Sequence, residues 1–220
     1  RSCLFLARDR LGVKPLHYAR LSDGSVAFAS ELKGLLRNPL LRQEANLTAI
    51  EDFLAFGYVP DDNCIVAGAR KLPAGHYLLL ERGKGVPAPT CWWAPDFSRR
   101  IKASEGEAAE HLVHLMRAAV TDRMVADVPL GAFLSGGIDS STVVALMQKL
   151  GGAPVRTFSI GFNEEGYDEA QHAAAVARHL GTQHTEQYVT ADEARAVIPL
   201  LPQLYDEPFG DSSQIPTYLV

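Results

Sequence analysis

Apolar and polar positions change their period along this chain. From Val128 onward, short apolar runs alternate with longer segments whose apolar residues recur at helical spacing. Val128 to Leu134 reads as a strand. Ile138 to Leu150 reads as a helix with Val143, Val144, Met147 and Leu150 on one side, stopped by Gly151-Gly152. Val155 to Ile160 is the next strand. A helix over Asp168 to Leu180 follows, with Ala170, Ala173, Ala174, Ala177 and Leu180 sharing a face and Gly181 behind it. His184 to Val189 is a third strand, and Thr190-Ala191-Asp192-Glu193 is a capping box. Strands and helices alternating across short loops predict an α/β domain on a doubly wound parallel sheet. Ligands of such sheets sit at the carboxyl ends of strands, here at Ser135 and at Gly161-Phe162-Asn163. Upstream, the capping box Ser104 to Glu107 opens a helix whose expected buried stripe is Leu112, Leu115, Met116 and Ala119.

Residues 1–90 are richer in strands: Cys3 to Ala7, Leu16 to Ala19, Ser25 to Ala29 and His76 to Glu81. Two short helices are expected among them. Ser30 is placed to cap one running through Leu35 and Leu36, with Glu31 in its first turn. Thr48-Ala49-Ile50-Glu51 has capping-box spacing for the other, which carries Ile50, Phe53 and Leu54 and ends at Gly57. Arg8 to Pro15 reads as a solvated turn with local ion pairs. The Gly- and Pro-rich stretch Gly83 to Pro89 is the expected connection, and Trp92 and Trp93 are expected to pack at a domain boundary. The expected division is an α+β part over 1–90 and an α/β part over 91–220.

Composition narrows the function. The 220 residues are 47% hydrophobic and carry a net charge of −5 without a lysine or arginine run, so no nucleic-acid footprint is present. No apolar run reaches the roughly 18 residues of a membrane span. Cys3, Cys64 and Cys91 form no C-x-x-C pair, which argues against a disulfide framework or zinc and fits a reducing compartment such as the cytoplasm. His111 and His114 lack a third ligand for a metal, and His172, His179 and His184 read as surface or capping residues. Arg1 to Leu11 does not read as a signal peptide. The chain starts without Met and stops inside the apolar run Ile215 to Val220, as expected of a piece of a longer protein.

The strongest chemistry lies between the strand ending at Leu134 and the helix starting at Ile138. Ser135-Gly136-Gly137-Ile138-Asp139-Ser140-Ser141 turns one into the other. Glycines there let backbone N–H groups approach an anion, and the helix N-terminus adds unsatisfied donors. The loop has no lysine and no G-x-x-x-x-G-K-[ST] pattern. A carboxylate, Asp139, stands in an anion site instead, which makes electrostatic sense with a divalent cation between it and phosphates. The competing reading takes Asp139 and the serines as helix caps.

This stretch resembles the pyrophosphate loop of the ATP pyrophosphatases. With Asp127 to Phe133 before it, it is similar to the glutamine-hydrolysing asparagine synthetases in particular. Arg8 to Tyr18 and Phe28 to Lys33 resemble the end of a class II glutamine amidotransferase domain. The family's cysteine nucleophile lies upstream, so Cys3 does not match it. The resemblance covers essentially the whole chain and implies an amide-forming ligase. Its substrates would be aspartate, ATP and glutamine or ammonia, and the reaction would run through an acyl-adenylate. It also implies Mg²⁺ held at Asp139, catalytic roles for Asp139 and Ser135, and a nucleotide held by Leu134, Ser135, Gly136, Gly137, Asp139, Ser140 and Ile160. Leu134 and Ile160 match the family's adenosine-holding positions. A ligase acting on another carboxylate, or a nucleotide-binding remnant without turnover, stays open, as does a homodimer. Asp206-Glu207-Pro208-Phe209 also matches the family. There Asp206, Glu207 or Asp211 would stand at the active-site mouth, and Asp211 or Ser212 would cap the next helix. A second glycine-acidic loop would follow beyond Val220.

Overall fold

The computed structural model describes residues 2–61, 63–162 and 170–220. Contacts group the chain into two units, Arg1–Arg99 with Pro199–Asp211, and Arg100–Ile198 with Ser212–Val220.

The first unit begins with β1 (Cys3–Ala7), β2 (His17–Arg20), β3 (Val26–Ala29), α1 (Leu32–Leu36) and α2 (Leu47–Phe56). It continues with β4 (Arg70–Lys71), β5 (His76–Glu81) and β6 (Thr90–Cys91). The strands form two antiparallel sheets, ordered β1-β5-β6 and β3-β2-β4. Side chains alternate across a strand, so Leu78 and Leu80 of β5 enter the core while Leu79 faces outward. Leu6, Tyr18 and Leu72 complete that cluster, and a second one gathers Leu21, Leu32, Leu35, Leu41 and Cys64.

Three local expectations for this unit are corrected. Arg8 is buried, not solvated: its guanidinium donates to the carbonyls of Lys14, Gly12 and Leu72 and pairs with Asp61 at 2.8 Å. Asp9 accepts from the N–H groups of Leu11, Val13 and Lys14, which holds its carboxyl below the usual range. The turn is thus built around one buried charge, Arg8, and one exposed charge, Asp9, that gathers its backbone N–H groups. Neither Ser30 nor Glu31 caps α1 with its side chain; Asp206 does so from the other end of the chain. Helix α2 starts at Leu47, ahead of the Thr48 box, because Asn46 is its N-cap residue and turns its amide to Asn63 and the Cys64 carbonyl. Trp92 is half exposed, and the N–H groups of Trp92 and Trp93 both donate to the Gly75 carbonyl.

The second unit contains α3 (Glu105–Arg123), β7 (Gly131–Phe133), α4 (Ile138–Leu150), β8 (Arg156–Phe162), α5 (Ala170–Leu180), β9 (Gln183–Val189) and α6 (Ala191–Val197). The expected helix start at Asp168 and the loop residue Asn163 lie outside the described residues. β7, β8 and β9 form a parallel sheet in that order. Both capping boxes form, at Ser104 with Glu107 and at Thr190 with Glu193. Ala170, Ala173 and Ala177 of α5 are buried.

Two expectations shift here. The strand before Ser135 spans Gly131–Phe133 only, and Val128 is 69% exposed. Pro129 has no N–H to give a ladder, and β8 is the neighbour β7 pairs with among the described residues. Helix α3 buries Val120 and packs Met116 and Met124, while Leu112 and Leu115 stay exposed. The stripe at 116, 120 and 124 wins because it faces Leu146, Met147 and Val155.

After α6 come α7 (Leu201–Leu204) in the first unit and α8 (Gln214–Leu219) in the second. Neither Asp211 nor Ser212 is the N-cap residue of α8; Ser213 is, without a side-chain cap hydrogen bond.

Candidate nucleotide site

β7 hands the chain to the glycine loop. The Leu134 N–H donates to the Phe158 carbonyl, extending the ladder one residue past the strand, and the side chain of Leu134 is buried with Val144, Ala173 and Ala177. The loop then closes on itself. Ser135 Oγ lies 3.0 Å from Ser140 Oγ and accepts from the Gly137 N–H, while the Ser135 N–H donates to Ser140 Oγ. Gly136 has φ +79°, in the left-handed region. A Cβ there would stand 2.8 Å from the Ala173 nitrogen and from His172 Cβ, so the loop lies directly on the first turns of α5.

Gly137 is the N-cap residue of α4, and no side chain caps that helix. The first-turn N–H groups from Ile138 onward therefore lack the carbonyls an interior turn would offer. Asp139 sits in that turn, exposed, and is not spent on capping. Ser141 Oγ is buried without a hydrogen-bond partner. Open donors, an orphan hydroxyl and a glycine cradle fit a polyanion. Among the described residues no group of three His, Cys, Asp or Glu stands ready to hold a metal.

Beside the loop lies a cleft of about 710 Å³. β8 shapes it by alternation: Thr157, Ser159 and Gly161 are buried on one face, while Phe158, Ile160 and Phe162 are half-buried on the other and line the cleft. Phe133, opposite Phe158 in register, and Pro216, Thr217 and Val220 complete the apolar wall. Both adenosine candidates line the cleft; Ile160 is half-buried there, while Leu134 is 1% exposed and packs into the core beneath the loop. Phe162 stands at the strand end that the sequence marked for ligands, while Phe133 and Phe158 were not singled out; for Phe158 the alternation along β8 was the available signal.

The expectation for His184 is corrected. Its ring lies between Thr157 Oγ1 and Ser159 Oγ, at 2.9 and 3.2 Å, in a network that includes Thr182. Asp206 and Glu207 are both engaged inside the first unit, where Glu207 pairs with Lys71 at 2.7 Å.

The family described as Asparagine synthase matches residues 111–220, and the Glutamine amidotransferase domain matches residues 1–93. The chain belongs to the asparagine synthase family. A Methanocaldococcus jannaschii protein provisionally named as a glutamine-hydrolysing asparagine synthetase is 37% identical, over 100% of this chain and 43% of that protein. The glutamine-hydrolysing asparagine synthetase 1 of Bacillus subtilis is 30% identical, over 99% of this chain and 34% of its own length. The carboxyethyl-arginine beta-lactam-synthase of Streptomyces clavuligerus is 32% identical, over 89% of this chain and 35% of its own. The chain thus spans less than half the length of these curated relatives. Among the described residues no helix is long and apolar enough to cross a membrane.

Proposed function

We propose that this chain is part of a glutamine-hydrolysing asparagine synthetase, which converts aspartate, ATP and glutamine into asparagine, AMP, pyrophosphate and glutamate. The observation that carries this reading is the Ser135–Ser140 loop, pressed onto α5 through Gly136 at φ +79° and opening beside an apolar cleft. We infer that residues 91–220 are the first part of a doubly wound ATP pyrophosphatase domain. Residues 1–90 are then the last part of the glutaminase domain with its connection.

A carboxylate resists attack by ammonia, and adenylation gives it an AMP leaving group. In this reading the aspartate carboxylate attacks the α-phosphorus of ATP and pyrophosphate departs. The loop N–H groups and the Ser135 and Ser140 hydroxyls stabilise charge growing on the departing oxygens. Ile160, with the backbone at Leu134, holds the adenosine, and Gly136 and Gly137 let the phosphates approach. Asp139 would hold Mg²⁺, which supplies charge neutralisation at the phosphates when bound. Ammonia released from glutamine, or supplied directly, then attacks the acyl-adenylate and expels AMP. The protein would work in the cytoplasm, on small molecules, as a homodimer.

The beta-lactam-synthase relative favours a second reading, the same adenylation applied to another acid. The test is to supply the full-length protein with ATP, Mg²⁺, ammonia and one carboxylate at a time. AMP and pyrophosphate with aspartate support the proposal. AMP with a different acid moves the substrate, and ADP as product overturns the loop assignment.

A further inference from the structure

Helix α3 is 19 residues long, about 28 Å, yet it buries only Val120. Met116, Val120 and Met124, toward its carboxyl end, pack with Leu146, Met147 and Val155 of the same unit. A second apolar line runs along another side of the helix: Ala108, Leu112, Leu115 and Ala119, at spacings of four, three and four residues. Leu112 is 57% exposed and Leu115 52%, Ala119 is exposed and Ala108 half-buried.

That spacing is the seam of a two-helix pair. The order Ala-Leu-Leu-Ala also reads the same from either end. A two-fold axis midway between Val113 and His114 therefore lays the line on itself with two helices antiparallel. Leu112 then meets the partner's Leu115, and Ala108 the partner's Ala119. Charge follows the same symmetry. Glu105 and Arg123 stand exposed at opposite ends of α3, five full turns apart and so on one flank of the line. Antiparallel pairing brings Glu105 beside the partner's Arg123 at both ends, and it opposes the two helix dipoles. Parallel pairing would set like charge against like. A surface that reads alike from both ends fits a second copy of the chain, because an interface on a two-fold axis must complement itself. A segment of any other sequence imposes no such requirement.

We propose that the Ala108–Leu112–Leu115–Ala119 line of α3 is a dimer contact, made as an antiparallel helix pair between two copies of this chain. The inference rests on the homodimer reading, and its test tells the two failures apart. Sedimentation equilibrium of the full-length protein measures the dimer dissociation constant, and circular dichroism reports that each variant is folded. Leu112→Lys removes the centre of the seam from both copies and is expected to weaken the dimer at least about hundredfold. Arg123→Glu and Glu105→Arg are each expected to weaken it about tenfold, since each puts like charges together at both ends. The exchange variant carrying both is expected to restore the wild-type constant. Arg117→Glu makes the same charge change on the side of α3 away from the line and is expected to leave the constant unchanged. A dimer that Leu112→Lys does not weaken overturns this surface and leaves the homodimer standing. A monomer at every concentration overturns both. An exchange variant as weak as the single ones overturns the antiparallel arrangement.

Discussion

Gly136→Ala tests the loop most directly. Two costs meet at this residue. An L side chain at φ +79° carries the left-handed penalty of about 1–2 kcal/mol. The new methyl would also stand 2.8 Å from the Ala173 nitrogen, the His172 carbonyl carbon and His172 Cβ. Two of those atoms are helix backbone, which cannot rotate away, so loop or helix must shift. Overpacking of this kind costs about 1–3 kcal/mol more. The sum, about 2–5 kcal/mol, corresponds to a melting-temperature loss of about 4–20 °C for a chain of this size. Gly181 supplies the control. Its φ is +71°, yet a Cβ there meets nothing within 4 Å, so Gly181→Ala carries the backbone penalty alone. Thermal unfolding and ATP titration of both variants separate the effects. Gly136→Ala is expected to melt lower than Gly181→Ala and to lose at least tenfold in nucleotide affinity, while Gly181→Ala keeps its affinity. Equal losses in stability and affinity at the two sites would refute the claim that the loop is pressed onto α5.

Asp139→Asn in the full-length protein is expected to abolish pyrophosphate release while leaving unfolding free energy within about 0.5 kcal/mol, because the side chain is exposed and caps nothing; normal release removes its metal role. Burial pushes the Cys64 thiol up to about 11, so a thiol reagent at pH 8 should modify Cys3 and Cys91 in the native protein and reach Cys64 only on unfolding. Burial lowers the pKa of His17 from 6.5, partly opposed by the charges of Glu207 and Asp206. The unfolded state therefore binds the proton more readily. The contribution of His17 to stability is complete above about pH 6.5 and drains away as pH falls below it toward the lowered folded value. Urea unfolding from pH 7.5 to 5 should show a shallower loss in His17→Gln than in wild type, and identical slopes would exclude His17 as the group responsible.

Local physics made much of the chain legible. Helix α4 begins and ends where periodicity and Gly151 place it, and β1 and β5 match their apolar runs residue for residue. The capping boxes at Ser104 and Thr190 form because both partners lie within one turn. The glycine loop was visible for the same reason, since strand, turn and helix are contiguous.

Other features depended on partners distant in sequence. The cap of α1 comes from Asp206, 174 residues beyond Leu32, and the partner of Lys71 lies 136 residues away. Nothing near Ser30 or Lys71 announces either. The buried stripe of α3 is chosen by which residues of α4 it meets, and so keeps Met116 but moves from Leu112 and Leu115 to Val120. Charge chemistry followed the same rule. Sequence alone determined that Asp139 would stand in the first turn of the helix behind the glycine loop, because that requires only a neighbouring helix start. Tertiary structure decided that Asp206 and Glu207 anchor a segment, because a carboxylate takes its role from the donors that folding brings within 3 Å of it.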